Sequence, residues 1–124
     1  MEKTIEQRIY NILGYYLNHY EFLGKGRSRI VFRVSVTAVV KVPLSHIGMD
    51  DNRYEYEQFT KHNEEGHLAA CELFYEQDIT MLFMEYVDTN HNMRNLPEWA
   101  GWIDCQQVGK NPAGKWVAYD YGYN

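Results

Sequence analysis

The alternation of apolar and polar side chains from Arg29 to Val36 constrains the fold of this chain more than any other feature. Apolar residues occupy every second position, which predicts a β-strand with one buried face. A shorter strand over Tyr20–Leu23 precedes it, and the intervening "GKG" predicts a hairpin turn. A third strand, Ala38–Val42, follows closely and ends at Pro43. The centre of the fold is therefore predicted to be an antiparallel sheet.

Two segments predict helices on either side of these strands. Thr4–Tyr20 places apolar residues at helical intervals, and Gln7 lies three residues after Thr4, as in a capping box. "SHIGMDD" is predicted to be a loop. The following segment, Asn52–His62, contains no glycine or proline and predicts a second helix.

The second half of the chain predicts two more strands and a shorter terminal unit. Ala69–Tyr75 and Ile79–Val87 read as strands joined at "EQD". "DTNHNMRN" predicts a linker, and Asn95 before Pro97 predicts the start of a short helix through Trp99 and Trp102. A hairpin follows, with its turn at "NPAG"; its strands are predicted at Gln107–Gly109 and Trp116–Tyr121.

These elements predict one α+β domain over residues 1–124. Its parts are a helix at 1–20, a five-stranded antiparallel sheet with its second helix at 21–88, and a short helix with a hairpin at 89–124. A chain of 124 residues is long enough to bury one core but too short for two independent cores.

Charge and composition exclude several classes of function. A net charge of −5 argues against a nucleic-acid partner, which would require a basic face. No apolar run is long enough for a membrane span or a signal peptide, so we expect a cytoplasmic protein. Cys71 and Cys105 are expected to be reduced thiols. His62, His67 and Cys71 match no established zinc spacing, and we expect neither zinc nor haem.

Two features in the predicted sheet carry side chains or backbone suited to ligand binding. Gly24 and Gly26 lie between two strands, where backbone amides can approach a phosphate, although a plain tight hairpin explains them equally well. Lys41 shares a strand face with Val39, so a cation and an apolar surface point the same way. A solvated lysine at a strand end is the alternative for Lys41.

Two acidic features complete the set of candidates. Glu55 and Glu57 in the second predicted helix could each pair with Lys41, and helical phase allows only one of them to face it. Asp120 follows the apolar "WVAY" at the end of a predicted strand. A buried carboxylate there requires a cation or hydrogen-bond donors.

Taken in order, these features resemble the small lobe of the protein kinase superfamily. The matching motifs are Gly24-x-Gly26, Val31, "AVVK" ending in Lys41, a helical glutamate, and "LFMEYVD" from Leu82 to Asp88. The resemblance implies a kinase-like sheet whose second helix corresponds to the family's αC helix. It covers Tyr20–Val87 and returns only at the terminal hairpin.

The resemblance implies ATP and Mg²⁺ as cofactors. Met84 would be the gatekeeper residue, and Asp120 would stand for the metal-binding aspartate of the family's Asp-Phe-Gly. Lys41 and Asp120 would be the catalytic residues, joined by Asp104 as the nearest match to a catalytic aspartate. Gln107 would occupy the position of a second metal ligand. The implied nucleotide site comprises Gly24, Gly26, Arg29, Val31, Val39, Lys41, Glu57, Met84, Glu85 and Val87.

Several departures from the family's pattern argue against catalysis. Arg29 replaces the third glycine of the loop, so its side chain must crowd the phosphates or contact them. Too few residues separate the hinge from Asp120 for a helical large lobe. No His-Arg precedes Asp104, and the sequence stops two residues after Gly122, where an activation segment would begin.

The sequence therefore favours a miniature, pseudokinase-type protein that acts by binding a protein partner without efficient phosphotransfer, and it leaves open whether the protein also holds ATP and Mg²⁺. Such compression of a large fold suggests a phage or mobile-element protein that modulates host machinery. The alternative is a minimal ATP-dependent protein kinase or ATPase, completed by a homodimer or another partner.

Overall fold

The computed structural model describes residues 2–89, 96–102 and 107–120. Five strands form an antiparallel sheet in the spatial order β1-β2-β3-β5-β4. The strands are β1 (Glu21–Lys25), β2 (Arg29–Arg33), β3 (Ala38–Pro43), β4 (Cys71–Glu76) and β5 (Ile79–Glu85). This architecture confirms the predicted α+β class and the five-stranded sheet, and it is consistent with a kinase-like small lobe.

The first helix, α1 (Ile5–His19), begins where the capping box predicts. The backbone N–H of Gln7 donates to the Thr4 hydroxyl over 3.2 Å, and the N–H of Thr4 donates to the Gln7 side chain over 2.9 Å. These two bonds satisfy amides that the first turn of a helix leaves without partners. The buried face of α1 then covers one side of the sheet through Ile9, Ile12 and Tyr16.

The second helix, α2 (His46–His62), begins six residues earlier than predicted, inside the segment expected to be a loop. Ser45 caps it by accepting a hydrogen bond from the amide of Ile47 over 3.2 Å. Gly48 is needed for close packing, because a Cβ there would lie 2.3 Å from the Ser28 carbonyl oxygen. No helix in the described ranges is both long and apolar enough to cross a membrane.

A turn and a bulge set the strand register at two places in the sheet. Gln77 and Asp78 connect β4 to β5, and both have positive φ, as a two-residue hairpin loop requires. In the edge strand β1, a register shift between Phe22 and Gly24 marks a bulge opposite β2. Gly24 and Lys25 of the predicted "GKG" turn belong to β1, which extends to Lys25 rather than ending at Leu23 as predicted.

The C-terminal unit comprises a 3₁₀ turn over Glu98–Trp102 and a hairpin of β6 (Val108–Lys110) and β7 (Trp116–Ala118). The turn at "NPAG" forms as predicted, since the amide of Gly114 donates to the Asn111 carbonyl over 2.8 Å. The second strand is shorter than predicted. Asn95 and Tyr121, predicted to begin the helix and end the hairpin, lie outside the described residues.

Strand alternation divides the core between the two faces of the sheet. On the face covered by α1, the buried side chains include Phe32, Val40, Val42, Ile79 and Met81. The opposite face buries Val39, Leu82 and Met84, with Val87 and Val117 packed against them. This second face also contacts α2 and the β6–β7 hairpin, so it is the face on which a site can form between elements.

Replacing Phe32 with alanine tests the first of these cores. Phe32 is fully buried and its ring lies 5.5 Å from that of Tyr16. We expect Phe32→Ala to lower the free energy of unfolding by about 3–5 kcal/mol, because the cavity cannot fully collapse. Tyr10→Ala, on the exposed side of α1, should change it by no more than about 0.5 kcal/mol. Urea unfolding of both variants would measure this, and equal losses would contradict the assignment of the core.

Candidate functional site

A buried carboxylate lies at the centre of the second face. The Glu55 side chain is inaccessible to solvent, and its Oε1 lies 2.5 Å from Lys41 Nζ and 3.1 Å from Arg29 Nη1. Arg29 Nη2 also donates to Glu55 Oε2 over 3.4 Å. Burying one carboxylate requires such compensation, because an isolated charge is very costly to remove from water.

Neighbouring elements fix the three charged groups in place. Strand alternation puts Lys41 on the same face of β3 as Val39, directed at α2. Asn52 lies one helical turn before Glu55, and its amide donates to the Lys41 carbonyl over 3.3 Å and to the Thr80 carbonyl over 2.9 Å. The Asn52 oxygen accepts from Arg29 Nη1 over 3.0 Å. One buried amide therefore joins α2 to three strands of the sheet.

The end of the β6–β7 hairpin meets the same cations. Lys41 Nζ donates to the Tyr119 carbonyl over 2.6 Å, and Arg29 Nη2 lies 3.2 Å from Asp120 Oδ1. Main-chain bonds hold the hairpin from the other side, including those between Asp88 and Lys110. We call Arg29, Lys41, Glu55 and Asp120 the ion cluster. Its members come from β2, β3, α2 and the residues after β7.

The two carboxylates of the ion cluster have pKa values shifted in opposite directions. Burial opposes ionisation of Glu55, but the charges of Lys41 and Arg29 outweigh burial and lower its pKa. Burial raises the pKa of Asp120, and the same two cations offset only part of that rise. Burial disfavours the charge of Arg29, yet Glu55 more than compensates and raises the pKa of the guanidinium. Glu55 is thus a firmly held anion, whereas Asp120 depends on its cations.

A cleft of about 310 Å³ opens beside the ion cluster. Its walls are mainly apolar, and Lys41 and Asp120 form its charged end. The lining residues are Leu23, Gly24, Val31, Val39, Lys41, Met84, Glu85, Tyr86, Val87, Thr89, Tyr119 and Asp120. Apolar walls with a few convergent polar groups are typical of small-molecule sites.

The backbone after β5 borders this cleft. The amide of Glu85 donates to the Ala70 carbonyl over 3.0 Å, and that of Tyr86 donates to the Thr37 carbonyl over 2.7 Å. Within the described part of the chain, the amide of Val87 has no such acceptor, although this residue is only 8% exposed. An amide with no main-chain acceptor among the described residues is suited to donate to a bound molecule.

The structure gathers most of the residues proposed for the nucleotide site around the cleft. Those that line it are Gly24, Val31, Val39, Lys41, Met84, Glu85 and Val87, together with Asp120. Gly26 does not line the cleft; its amide donates to the Arg29 carbonyl over 2.8 Å, as in a tight hairpin. Asp104 lies outside the described residues.

Glu57 does not belong to the site. Helical phase turns Glu57 to solvent, where its carboxylate lies 3.8 Å from Lys61, one helical turn away. Glu55, two positions earlier, faces Lys41 instead. The placement of Glu57 in the nucleotide site was therefore wrong.

Arg29 also lies elsewhere than predicted. It was expected to crowd or contact phosphates, but its side chain turns away from the cleft lining and into the ion cluster, where it is 6% exposed. Sequence reasoning missed Asn52 and the Tyr119 carbonyl. The spacing of Asn52 and Glu55, three residues apart on one helix face, was the available signal for the first. The Tyr119 acceptor is a main-chain carbonyl, which every residue carries, so no sequence pattern indicates it.

Among the described residues, Asp120 is the carboxylate at the position proposed for Mg²⁺. Mg²⁺ takes octahedral oxygen ligands, usually with one or two carboxylates. Asp120 Oδ1 is already bonded to Arg29. No group of three or more His, Cys, Asp or Glu that could hold a metal occurs in 2–89, 96–102 or 107–120. A metal bound through Asp120 Oδ1 would have to displace the Arg29 guanidinium.

Comparisons with known proteins leave the family open. No model of a known protein family matches the chain, and no curated protein matches it. Among solved structures, the streptomycin-ATP-APH(2")-IIa ternary complex matches with 18% sequence identity and a TM-score of 0.42. The match covers 80% of this chain but only 37% of that one. This likeness assigns neither a family nor an activity.

Two glutamates on one helix provide a matched test of the ion cluster. We expect Glu55→Gln to lower the free energy of unfolding by about 3–5 kcal/mol, because two buried cations lose their counter-charge. Glu57→Gln should change it by no more than about 0.5 kcal/mol, since its ion pair is exposed. Urea unfolding of the two variants measures the difference. A loss at Glu57 as large as that at Glu55 would contradict the assignment.

Proposed function

We propose that this chain is a kinase-like domain that binds an adenine nucleotide in the cleft and acts on a protein partner without efficient phosphotransfer. The observation that supports it best is the Lys41–Glu55 ion pair at the charged end of an apolar cleft. The resemblance to the kinase small lobe implies a pair between a strand lysine and a helical glutamate. The glutamate holds the lysine in the position from which it binds phosphate.

The rest of the cleft suits a nucleoside. Val31 and Val39 on neighbouring strands, with Met84 beyond them, provide an apolar slot for a flat base. The Val87 amide supplies a hydrogen-bond donor at its edge. Lys41 then lies at the end where a phosphate would be placed. These groups would hold the base and the phosphates at opposite ends of the cleft.

Inefficient phosphotransfer follows from the segment that joins Val87 to Asp120 in the sequence. Phosphoryl transfer depends on positioning an acceptor hydroxyl and on electrostatic stabilisation of the transferred group. Residues 88–119 contain no His-Arg-Asp sequence, and their described parts form a 3₁₀ turn and a two-stranded hairpin. Among the described residues between Val87 and Asp120, no segment corresponds to the one that places the acceptor in a kinase.

A role in protein binding draws support from the outer surface of α1 and β1. Large apolar side chains there are exposed, including Tyr10, Tyr15, Leu17 and Phe22. Exposed apolar side chains of this size are suited to contact a protein partner where they form one patch. In this proposal, nucleotide binding on one face of the sheet stabilises a domain that presents this surface to a partner.

Binding of ATP in the cleft can be tested by blocking the cleft with a larger side chain. ATP should raise the free energy of unfolding of the wild type, by about 2.7 kcal/mol at about 100 times its Kd. Val31→Trp should abolish that gain because the indole occupies the slot, whereas Val36→Trp, at an exposed position, should preserve it. Thermal unfolding with and without ATP provides the measurement. Absence of stabilisation in the wild type would contradict nucleotide binding.

The absence of efficient transfer has its own test. Radiolabelled ATP incubated with the protein and a mixture of cellular proteins should leave no label above background. Label that appears with the wild type and disappears in both Lys41→Ala and Asp120→Ala would contradict this part of the proposal. It would instead favour a minimal kinase completed by a partner.

A further inference from the structure

The guanidinium of Arg29 is bonded to one of the two carboxylate oxygens that Asp120 could offer to a metal ion. It lies 3.2 Å from Asp120 Oδ1 and is also bonded to Glu55 and Asn52. Bonds from three residues at 6% exposure fix this side chain far more firmly than a surface ion pair would. Arg29 is therefore a permanent cation at Asp120.

The charges of the ion cluster already balance. Arg29 and Lys41 supply two positive charges, and Glu55 and Asp120 supply two negative charges. A divalent cation added at Asp120 would lie close to both Arg29 and Lys41, and would be repelled by each. At Asp120 Oδ1 it would also compete with Arg29.

A divalent ion beside nucleotide phosphates normally removes the repulsion between those phosphates and the site's carboxylates. Here the guanidinium performs that neutralisation from within the protein. A phosphate that enters beside Lys41 meets an Asp120 carboxylate whose charge Arg29 already compensates. Metal is then not needed to bring the phosphates in.

We propose that Arg29 takes the place of the divalent cation at Asp120, so that the cleft binds ATP independently of metal. This inference depends on the proposed nucleotide-binding function. It assigns to Arg29 a positioning role toward Asp120 and does not place it in contact with the base.

Calorimetric titration of the wild type with ATP, in magnesium chloride and separately in EDTA, tests the inference. We expect the two Kd values to agree within about threefold. A Kd lower by about tenfold or more in magnesium would overturn metal independence while leaving nucleotide binding intact. No binding in either buffer would instead contradict the proposed function, and the inference would fall with it.

The Arg29→Ala variant supplies the converse measurement. Removing the guanidinium frees Asp120, so binding in EDTA should weaken and magnesium should restore it by about tenfold or more. Arg8→Ala, which removes a surface arginine whose partner is the exposed Asp78, is the matched control and should behave as the wild type. An Arg29→Ala protein that still binds ATP equally in both buffers would overturn the role given to Arg29.

Binding of Mn²⁺ to the wild type alone gives a readout that does not depend on how the variant folds. Electron paramagnetic resonance should show free Mn²⁺ in the presence of the protein without nucleotide. Stoichiometric capture of Mn²⁺ that Asp120→Asn removes would show a metal site at Asp120, and would overturn the inference.

Discussion

The Glu55 carboxylate is the constraint on which the rest of this structure depends. A fully buried anion must be met by cations, and the two that meet it come from β2 and β3. Pairing Glu55 with both cations therefore fixes the position of α2 relative to the sheet. The same two cations reach the Tyr119 carbonyl and Asp120, so the position of the β6–β7 hairpin depends on the same charge. The cleft exists because these three parts are held together at its charged end.

Much of the fold could be predicted from local pattern, because periodicity and capping are properties of short segments. The Thr4 capping box located α1, and the alternation in β2 and β3 located the sheet. The start of α2 was wrong for a physical reason. Gly48 lies in the segment predicted to be a loop, but the glycine allows the helix to pass close to the Ser28 carbonyl, a contact between segments distant in sequence.

The candidate site was only partly predictable. The strand face of Lys41 followed from alternation, but the choice between Glu55 and Glu57 required the rotation of α2 about its axis. That rotation is set by packing against the sheet, which no local pattern records. Arg29 shows a second limit. Alignment with a glycine-rich loop placed it near phosphates, whereas the buried charge of Glu55 draws it into the protein. The ion pair with Glu55, which is distant in sequence, therefore determines the position of Arg29, and the glycine-rich motif does not.

The bulge in β1 has a consequence for the behaviour of the protein in concentrated solution. β1 is an outer strand of the sheet, and every residue in it except Gly24 is exposed. A straight edge of this kind presents a row of unpaired amides and carbonyls to which another molecule could add a strand. The register shift between Phe22 and Gly24 interrupts that row at its midpoint. The irregularity beside the cleft entrance is thus also a barrier to edge-to-edge aggregation.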